Sequence, residues 1–155
     1  MRDNWTIRPA VPSDREFLFR LHATTMRSVI EQTWGWDEQW QRNDFAERFL
    51  SVLFYVVEAR AQPIGALCLE QSPDCLYIRE LQLLPEQQGH GIGTAIVDMV
   101  LDEARKQSLP VKLSVVPAND RAQRLYERLG FRVAAVELPF IRMVYDAVGA
   151  REGPN

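Results

Sequence analysis

Apolar residues recur along this chain in two rhythms, and each change of rhythm marks an element. Thr6 to Ala10 predicts a first strand, closed by Pro9 and Pro12. Ser13 or Asp14 is placed to cap a helix. Phe17, Leu18, Leu21, Met26, Val29 and Ile30 then repeat at helical spacing to about Gln32, and Gly35 breaks the run. Asp37 to Leu50 predicts a second helix, carrying Trp40, Phe45 and Phe49. Val52 to Ala59 is a β-branched strand, Ala61-Gln62-Pro63 a turn, and Ile64 to Glu70 the hairpin partner. After the turn at Ser72-Pro73-Asp74, Cys75 to Leu84 is expected as the fourth and longest strand. Ile92 to Gln107 predicts a helix with Ile92, Ala95, Ile96, Met99, Val100 and Ala104 inward and Asp98, Asp102 and Arg105 outward. Val111 to Val116 is a fifth strand. Asp120 to Leu129 is a short helix with Gly130 just past its end. Phe131 to Leu138 and Phe140 to Tyr145 complete the set. The order β-α-α-β-β-β-α-β-α-β-β is that of an α/β (α+β) layered domain. That domain is expected over residues 1–147, with 148–155 a flexible tail containing Gly149, Gly153 and Pro154.

Composition narrows the function more than the fold. With 155 residues, 46% hydrophobic and 25% charged, the chain has the make-up of a single globular domain. A net charge of −3 argues against a nucleic-acid binder and mildly favours cationic substrates. Met1-Arg-Asp-Asn-Trp5 leads into no apolar signal segment, and no run is long enough for a membrane span. Cys68 and Cys75 are the only cysteines, too few for a disulfide framework or a zinc site, so no metal is expected. Both read as packing residues. The simplest compartment is the cytoplasm.

The most telling stretch is Leu81-Gln-Leu-Leu-Pro-Glu-Gln-Gln-Gly-His-Gly-Ile-Gly-Thr94. A strand ends at Pro85, Gly89, Gly91 and Gly93 fall at alternate positions, and a helix begins at once. Free N–H groups and the positive end of a helix dipole bind anions there, so a phosphate or pyrophosphate is the expected ligand. A nucleoside-triphosphate loop would need a lysine that is missing. A dinucleotide fingerprint would need glycine where Thr94 stands.

Gln88-Gly89-His90-Gly91-Ile92-Gly93 resembles the Gln/Arg-x-x-Gly-x-Gly/Ala signature of the GNAT superfamily of acyl-CoA-dependent N-acetyltransferases. Asn119-Asp-Arg-Ala122-Gln-Arg-Leu125-Tyr126-Glu-Arg-Leu129-Gly130-Phe131 is similar to that family's second CoA-contacting segment, and the two occur in the family's order. The resemblance spans roughly Thr6 to Asp146. It implies the GNAT fold, a mixed, mostly antiparallel sheet of about seven strands with helices on both faces. It also implies acetyl-CoA as cofactor, CoA as product, a small-molecule or peptide amine as acceptor, and leaves a homodimer open. Neither nucleic acid nor membrane is an expected partner.

The resemblance distributes roles. The loop Gln88, Gly89, His90, Gly91, Ile92, Gly93 and Thr94 would hold the pyrophosphate by backbone N–H groups, with the His90 side chain solvated. The backbone of Leu83 and Leu84 would pair with the pantetheine amides. Asn119 would contact pantetheine, although a helix cap is the plainer reading. Tyr126 would sit near the thioester sulfur, although it also reads as a half-buried aromatic. A phenol of pKa about 10 protonates a thiolate of pKa about 8.5 only uphill, so a hydrogen bond to the developing charge suits Tyr126 better than prior proton transfer.

The nucleophile belongs to the substrate. An amine with a lysine-like pKa near 10.4 must lose a proton first, at a cost of about 4–5 kcal/mol at pH 7. Glu80 on the fourth strand is the first choice of base and Glu70 the second; the alternative for Glu80 is an exposed residue paired with Arg79 or Lys112. Trp34 and Trp36, with Glu31, Asp37 and Glu38 around them, offer aromatic faces and carboxylates suited to an ammonium group, or else pack a helix corner. For Trp40 packing is the expectation. The function so read is direct transfer of acetyl from acetyl-CoA to a primary amine in a ternary complex, with Tyr126 and Glu80 catalytic and Glu31, Trp34 and Trp36 at the acceptor. The alternatives are a catalytically inactive CoA-binding regulatory module and a small-molecule or nucleotide-binding protein of another fold.

Overall fold

The structure is a computed structural model that describes residues 4–146. The expected tail from 148 on therefore lies outside the described residues. Among those described, seven strands form one sheet in the order β1-β2-β3-β4-β5-β7-β6. They are β1 (Trp5–Pro9), β2 (Leu53–Ala59), β3 (Gln62–Gln71), β4 (Leu76–Leu83), β5 (Val111–Val115), β6 (Arg132–Glu137) and β7 (Phe140–Tyr145). The helices are α1 (Arg15–Thr33), α2 (Glu38–Ser51), α3 (Ile92–Gln107) and α4 (Asp120–Arg128). The sheet is mixed: β4 and β5 run parallel, while β1/β2, β2/β3, β5/β7 and β6/β7 are antiparallel. The expected order of elements holds throughout. The longest strand is β3, at 10 residues, and not β4, at 8.

The chain divides into two compact units. The first runs to Leu69 and takes up again from Glu80 to Gly93; the second holds Glu70–Arg79 and the chain from Thr94 on.

In the first unit, α1 and α2 lay apolar faces on β2 and β3. Leu18, Phe19, Leu21, Phe45, Phe54, Val56, Ala66 and Cys68 form the core. Phe45 is its hub, with ring centroids 5.4 Å from Phe54 and 5.7 Å from Phe19. Full burial of such a ring contributes roughly 1.5–3 kcal/mol. Gly35, with φ +86°, closes α1 by donating to the carbonyls of Ile30 and Glu31. Asp37 caps α2 by accepting from the Trp40 N–H at 2.9 Å. Asp14 does not cap α1 in that way. Its carboxylate turns back to Arg8, at 2.9 and 3.0 Å, and to the Val11 N–H, and so holds a one-turn 3-10 segment at Pro12–Asp14. Gly65 marks a close approach of β3 to β4: a Cβ there would lie 2.6 Å from the Gln82 carbonyl oxygen.

In the second unit, Ile96, Val97, Val100, Leu101 and Ala104 of α3 are buried, as are Val111, Leu113, Phe131 and Met143. The buried stripe of α3 thus includes Val97 and Leu101, and Met99 is exposed instead of inward. Gly130, with φ +104°, follows α4, where its N–H reaches the Glu127 carbonyl and the Phe131 N–H reaches that of Tyr126. At the end of the sheet order, β6 carries a register shift between Val133 and Ala135 and leaves Val133 and Val136 exposed.

Candidate functional site

The strand-to-helix turn after β4 is built as its glycines require. Pro85–Gln87 forms a single 3-10 turn, Gly89 and Gly91 take φ of +80° and +87°, and α3 starts at Ile92. Those left-handed angles strain any residue with a Cβ. Around Gly91 an added Cβ would meet nothing within 4 Å, so the space beside the loop is open. Gly93 is already helical, and its added Cβ would sit 3.9 Å from Leu83 Cδ1. The first-turn N–H groups of α3 have no acceptor within the helix, which is the property an anion needs. His90 is exposed.

Two flanking groups are less available than the sequence implies. The Gln88 N–H already donates to the Pro85 carbonyl at 3.2 Å, so it is committed to the turn. The Leu84 N–H donates to Ile64 at 2.9 Å, back toward β3. Strand alternation therefore turns the backbone of Leu83 to the opposite edge, where its carbonyl accepts from the Gln88 side chain at 2.9 Å. Gln88 thus braces the backbone position assigned to an incoming pantetheine.

Glu80 is not the exposed residue that pairs with Arg79 or Lys112. Arg79 pairs with Glu70 at 3.3 Å. Glu80 is largely buried and its Oε2 is bound by Arg48 of α2, whose Nε also holds Asp44 at 3.1 Å. The other carboxylate oxygen, Oε1, lies 3.7 Å from Nδ1 of His22. His22, 5% exposed, stands among the rings of Phe45, Trp36 and Phe19, with centroids 5.9, 6.0 and 6.3 Å away. Its Nε2 donates to Gln41 Oε1 at 3.0 Å, since that oxygen can only accept. Burial pushes the His22 pKa below its usual range; the Gln41 hydrogen bond and Asp44 pull it up, and Arg48 pushes it down further. Burial thus favours the uncharged ring, and 3.7 Å is beyond hydrogen-bond distance to Glu80. Nδ1 is buried without a hydrogen-bond partner.

Motif order does not single out His22, Gln41 and Arg48. Their signal is a polar residue at a core position: His22 lies four residues after Leu18 on α1, and Gln41 four before Phe45 on α2, each on the apolar face.

The aromatic cluster at the end of α1 has a cation of its own. The Arg27 guanidinium lies 5.2 Å from the Trp36 ring centroid and pairs with Glu31 at 3.1 Å. The Trp36 Nε1 donates to Glu38 at 3.1 Å. Trp34 and Trp40 are more than half exposed, so Trp40 does not pack the helix corner. A cavity of about 230 Å³ opens between α1 and α2 beside Arg15, Phe19, Arg42 and Phe45, and none of the expected acceptor residues lines it.

In the second unit, Asn119 is the N-cap of α4, its side-chain oxygen accepting from the Ala122 N–H at 3.2 Å. Tyr126, two turns on, is buried with its ring edge against Phe131 at 5.4 Å. Burial alone pushes its phenol pKa up to about 12. Cys68 is buried and free, and Cys75 is free and partly exposed. Among the described residues no cluster of His, Cys, Asp and Glu could hold a metal ion, and no helix is long and apolar enough to cross a membrane.

A mixed α/β sheet with a glycine turn opening onto a helix start is the kind of structure in which free helix N–H groups can meet an anion. The model of the Acetyltransferase (GNAT) family matches residues 15–131, and the chain belongs to that family. It is 30% identical over 99 residues to an uncharacterized N-acetyltransferase of Methanocaldococcus jannaschii, a match spanning 59% of this chain and 44% of that protein. The chain thus covers under half the length of that relative. Its fold is similar to the PaiA N-acetyltransferase of Thermoplasma acidophilum, crystallised with coenzyme A (TM-score 0.77, 18% identity, 92% of this chain and 98% of that one). It is also similar to a GNAT family acetyltransferase of Elizabethkingia anophelis with acetyl-CoA bound (TM-score 0.65, 16% identity, 93% and 99%).

Proposed function

We propose that this protein is an acetyl-CoA-dependent N-acetyltransferase acting on a primary amine by direct attack. The observation that carries the reading is the loop: Gly89 and Gly91 at positive φ ahead of α3, with open space at Gly91, in a chain of the GNAT family. The diphosphate of acetyl-CoA would be held by N–H groups of Gly89 to Thr94, and the pantetheine by the backbone edge at Leu83, whose carbonyl the Gln88 side chain would release or share. His90 contributes backbone only, and Asn119 acts first as a helix cap.

The chemistry assigned to the chain is a proton balance. The ammonium form of the acceptor loses one proton to Glu80. The neutral nitrogen attacks the thioester carbonyl, the C–N bond forms and the C–S bond breaks. The second nitrogen proton is lost as the thiolate gains one. With its pKa near 12, Tyr126 would protonate a thiolate of pKa about 8.5 at a cost of roughly 5 kcal/mol. It is therefore assigned as a hydrogen-bond donor to the developing sulfur charge and not as a free acid. Trp34, Trp36 and Glu31 are assigned to the acceptor side, where a bound ammonium would take the place of Arg27 over Trp36.

One observation favours the inactive CoA-binding module: Arg48 stabilises the anion of Glu80 and so makes it a poorer base. Free-thiol release with a panel of amines separates the two readings. Calorimetric titration with CoA, ATP and NAD tests the cofactor. Binding of CoA without thiol release from any amine selects the module; tighter binding of ATP or NAD than CoA overturns both.

A further inference from the structure

The region around Glu80 holds a feature that a lone carboxylate base does not require. The buried, unpartnered His22 Nδ1 lies 3.7 Å from the Glu80 Oε1, too far for a hydrogen bond. With the Gln41 Oε1 facing it, Nε2 carries the ring proton, which leaves the lone pair on Nδ1 toward Glu80. Such a pair is incomplete as it stands. A single added proton converts it into a charge-assisted N–H···O bond, with imidazolium on one side and carboxylate on the other. The charged groups around the ring are Arg48 and Asp44 from α2 and Glu80 from β4; Phe19, Phe45 and Trp36 supply apolar walls. Nδ1 is shielded from solvent, while the Glu80 side chain retains some exposure, so an incoming amine meets the carboxylate first.

We propose that His22 holds the proton taken from the acceptor amine: Glu80 Oε1 receives it from the ammonium group and His22 Nδ1 accepts it behind the carboxylate. This rests on the acetyltransferase reading above. Arg48 keeps Glu80 anionic, so the carboxylate passes the proton on instead of storing it. One N–H bond of the substrate breaks, one N–H bond of the imidazole forms, and Glu80 ends as it began. His22 works through Glu80 and is a positioning residue in that sense.

The test has two arms. His22 and His90 are the only histidines, so their ring nitrogens can be followed by ¹⁵N NMR in the intact protein. The expected resting state has Nε2 protonated and Nδ1 bare, and Glu80→Gln should lower the His22 pKa while leaving the His90 titration as in wild type. A resting Nδ1–H, or a His22 titration indifferent to Glu80→Gln, overturns the proposal. In the second arm, His22→Gln and His22→Phe are compared with wild type for kcat/KM across amines of falling basicity. At pH 7 a deficit of roughly a hundredfold is expected for a lysine-like amine. It should shrink as the amine becomes less basic, with acetyl-CoA affinity unchanged. A deficit independent of amine basicity marks a purely structural histidine and overturns the proposal. If no amine is acetylated, the acetyltransferase reading fails, and the NMR arm alone decides whether His22 and Glu80 share a proton.

Discussion

Replacing Gly93 with alanine and then with valine separates the cost of strain from the cost of crowding a ligand. At Gly91 the two are mixed, because φ of +87° penalises any Cβ by about 1–2 kcal/mol before a ligand is considered. Gly93 has no such angle. It lies in the first turn of α3, and its new Cβ would stand 3.9 Å from Leu83 Cδ1, an ordinary contact. Alanine there should leave the fold intact and raise stability by up to about 1 kcal/mol through helix propensity. The melting temperature should then rise by roughly 2–4 °C. Cα–Cβ bonds tilt toward a helix N-terminus, the end where the pyrophosphate is placed. Alanine is a residue the family signature accepts at this position, so Gly93→Ala should leave CoA binding within about twofold, whereas the two further methyl groups of Gly93→Val should cost at least one charge-assisted hydrogen bond, about 1.5–3 kcal/mol, and weaken CoA binding by roughly 10–150-fold. Titration calorimetry with CoA, paired with thermal melts of the free protein, reads both quantities. A Gly93→Val protein that folds as wild type does and binds CoA with unchanged Kd would refute the phosphate assignment of this loop.

Four further outcomes are expected. Tyr126→Phe should lower kcat by tenfold or more while the KM for acetyl-CoA moves little, since the hydroxyl acts on charge present only as sulfur departs; steady-state kinetics decide, and a change in KM alone makes Tyr126 a binding residue. Glu80→Gln should depress kcat/KM at neutral pH by roughly 10²–10⁴ and recover as pH nears the amine's own pKa, with Glu70→Gln milder; a wild-type rate from about pH 6 to 9 removes Glu80 from the chemistry. Gly65→Ala should destabilise by about 1–3 kcal/mol in urea, because its Cβ meets the Gln82 carbonyl and a Leu83 methyl at 2.6 Å. Burial depresses the folded pKa of His22, so around pH 6 the unfolded chain binds more protons there than the folded one. Its contribution is therefore complete above the unfolded value near 6.5 and is lost below it at up to about 1.4 kcal/mol per pH unit, until the folded ring titrates. His22→Phe should flatten that slope in denaturation series across pH 5 to 7.

The hydrophobic rhythm and the glycine spacing were enough to read the element order and the phosphate turn, because both are local. Alternating glycines before Ile92 force a turn whatever surrounds them, and the apolar faces of α1 and α2 need only something to lie on. The surroundings of Glu80 were not legible, because they depend on three elements far apart in the chain. Arg48 has nearer carboxylates in sequence, and nothing in its spacing from Glu80 signals that they meet. His22 and Gln41 are each a single polar residue on an apolar stripe, and only the packing of α1 against α2 makes them partners. Arg27 is likewise an unremarked helix residue until the turn of α1 carries Trp36 beneath it.

The register shift in β6 bears on how this protein behaves at high concentration. As the last strand of the sheet, β6 has one row of N–H and C=O groups without a neighbouring strand among the described residues, flanked by exposed Val133, Val136 and Leu138. A flat ladder of that kind recruits other chains by strand addition and seeds fibres. The irregularity between Val133 and Ala135 interrupts it near its middle, so a docking strand finds no continuous register to extend. The irregularity thus removes, beside an apolar margin, the continuous template that strand addition needs.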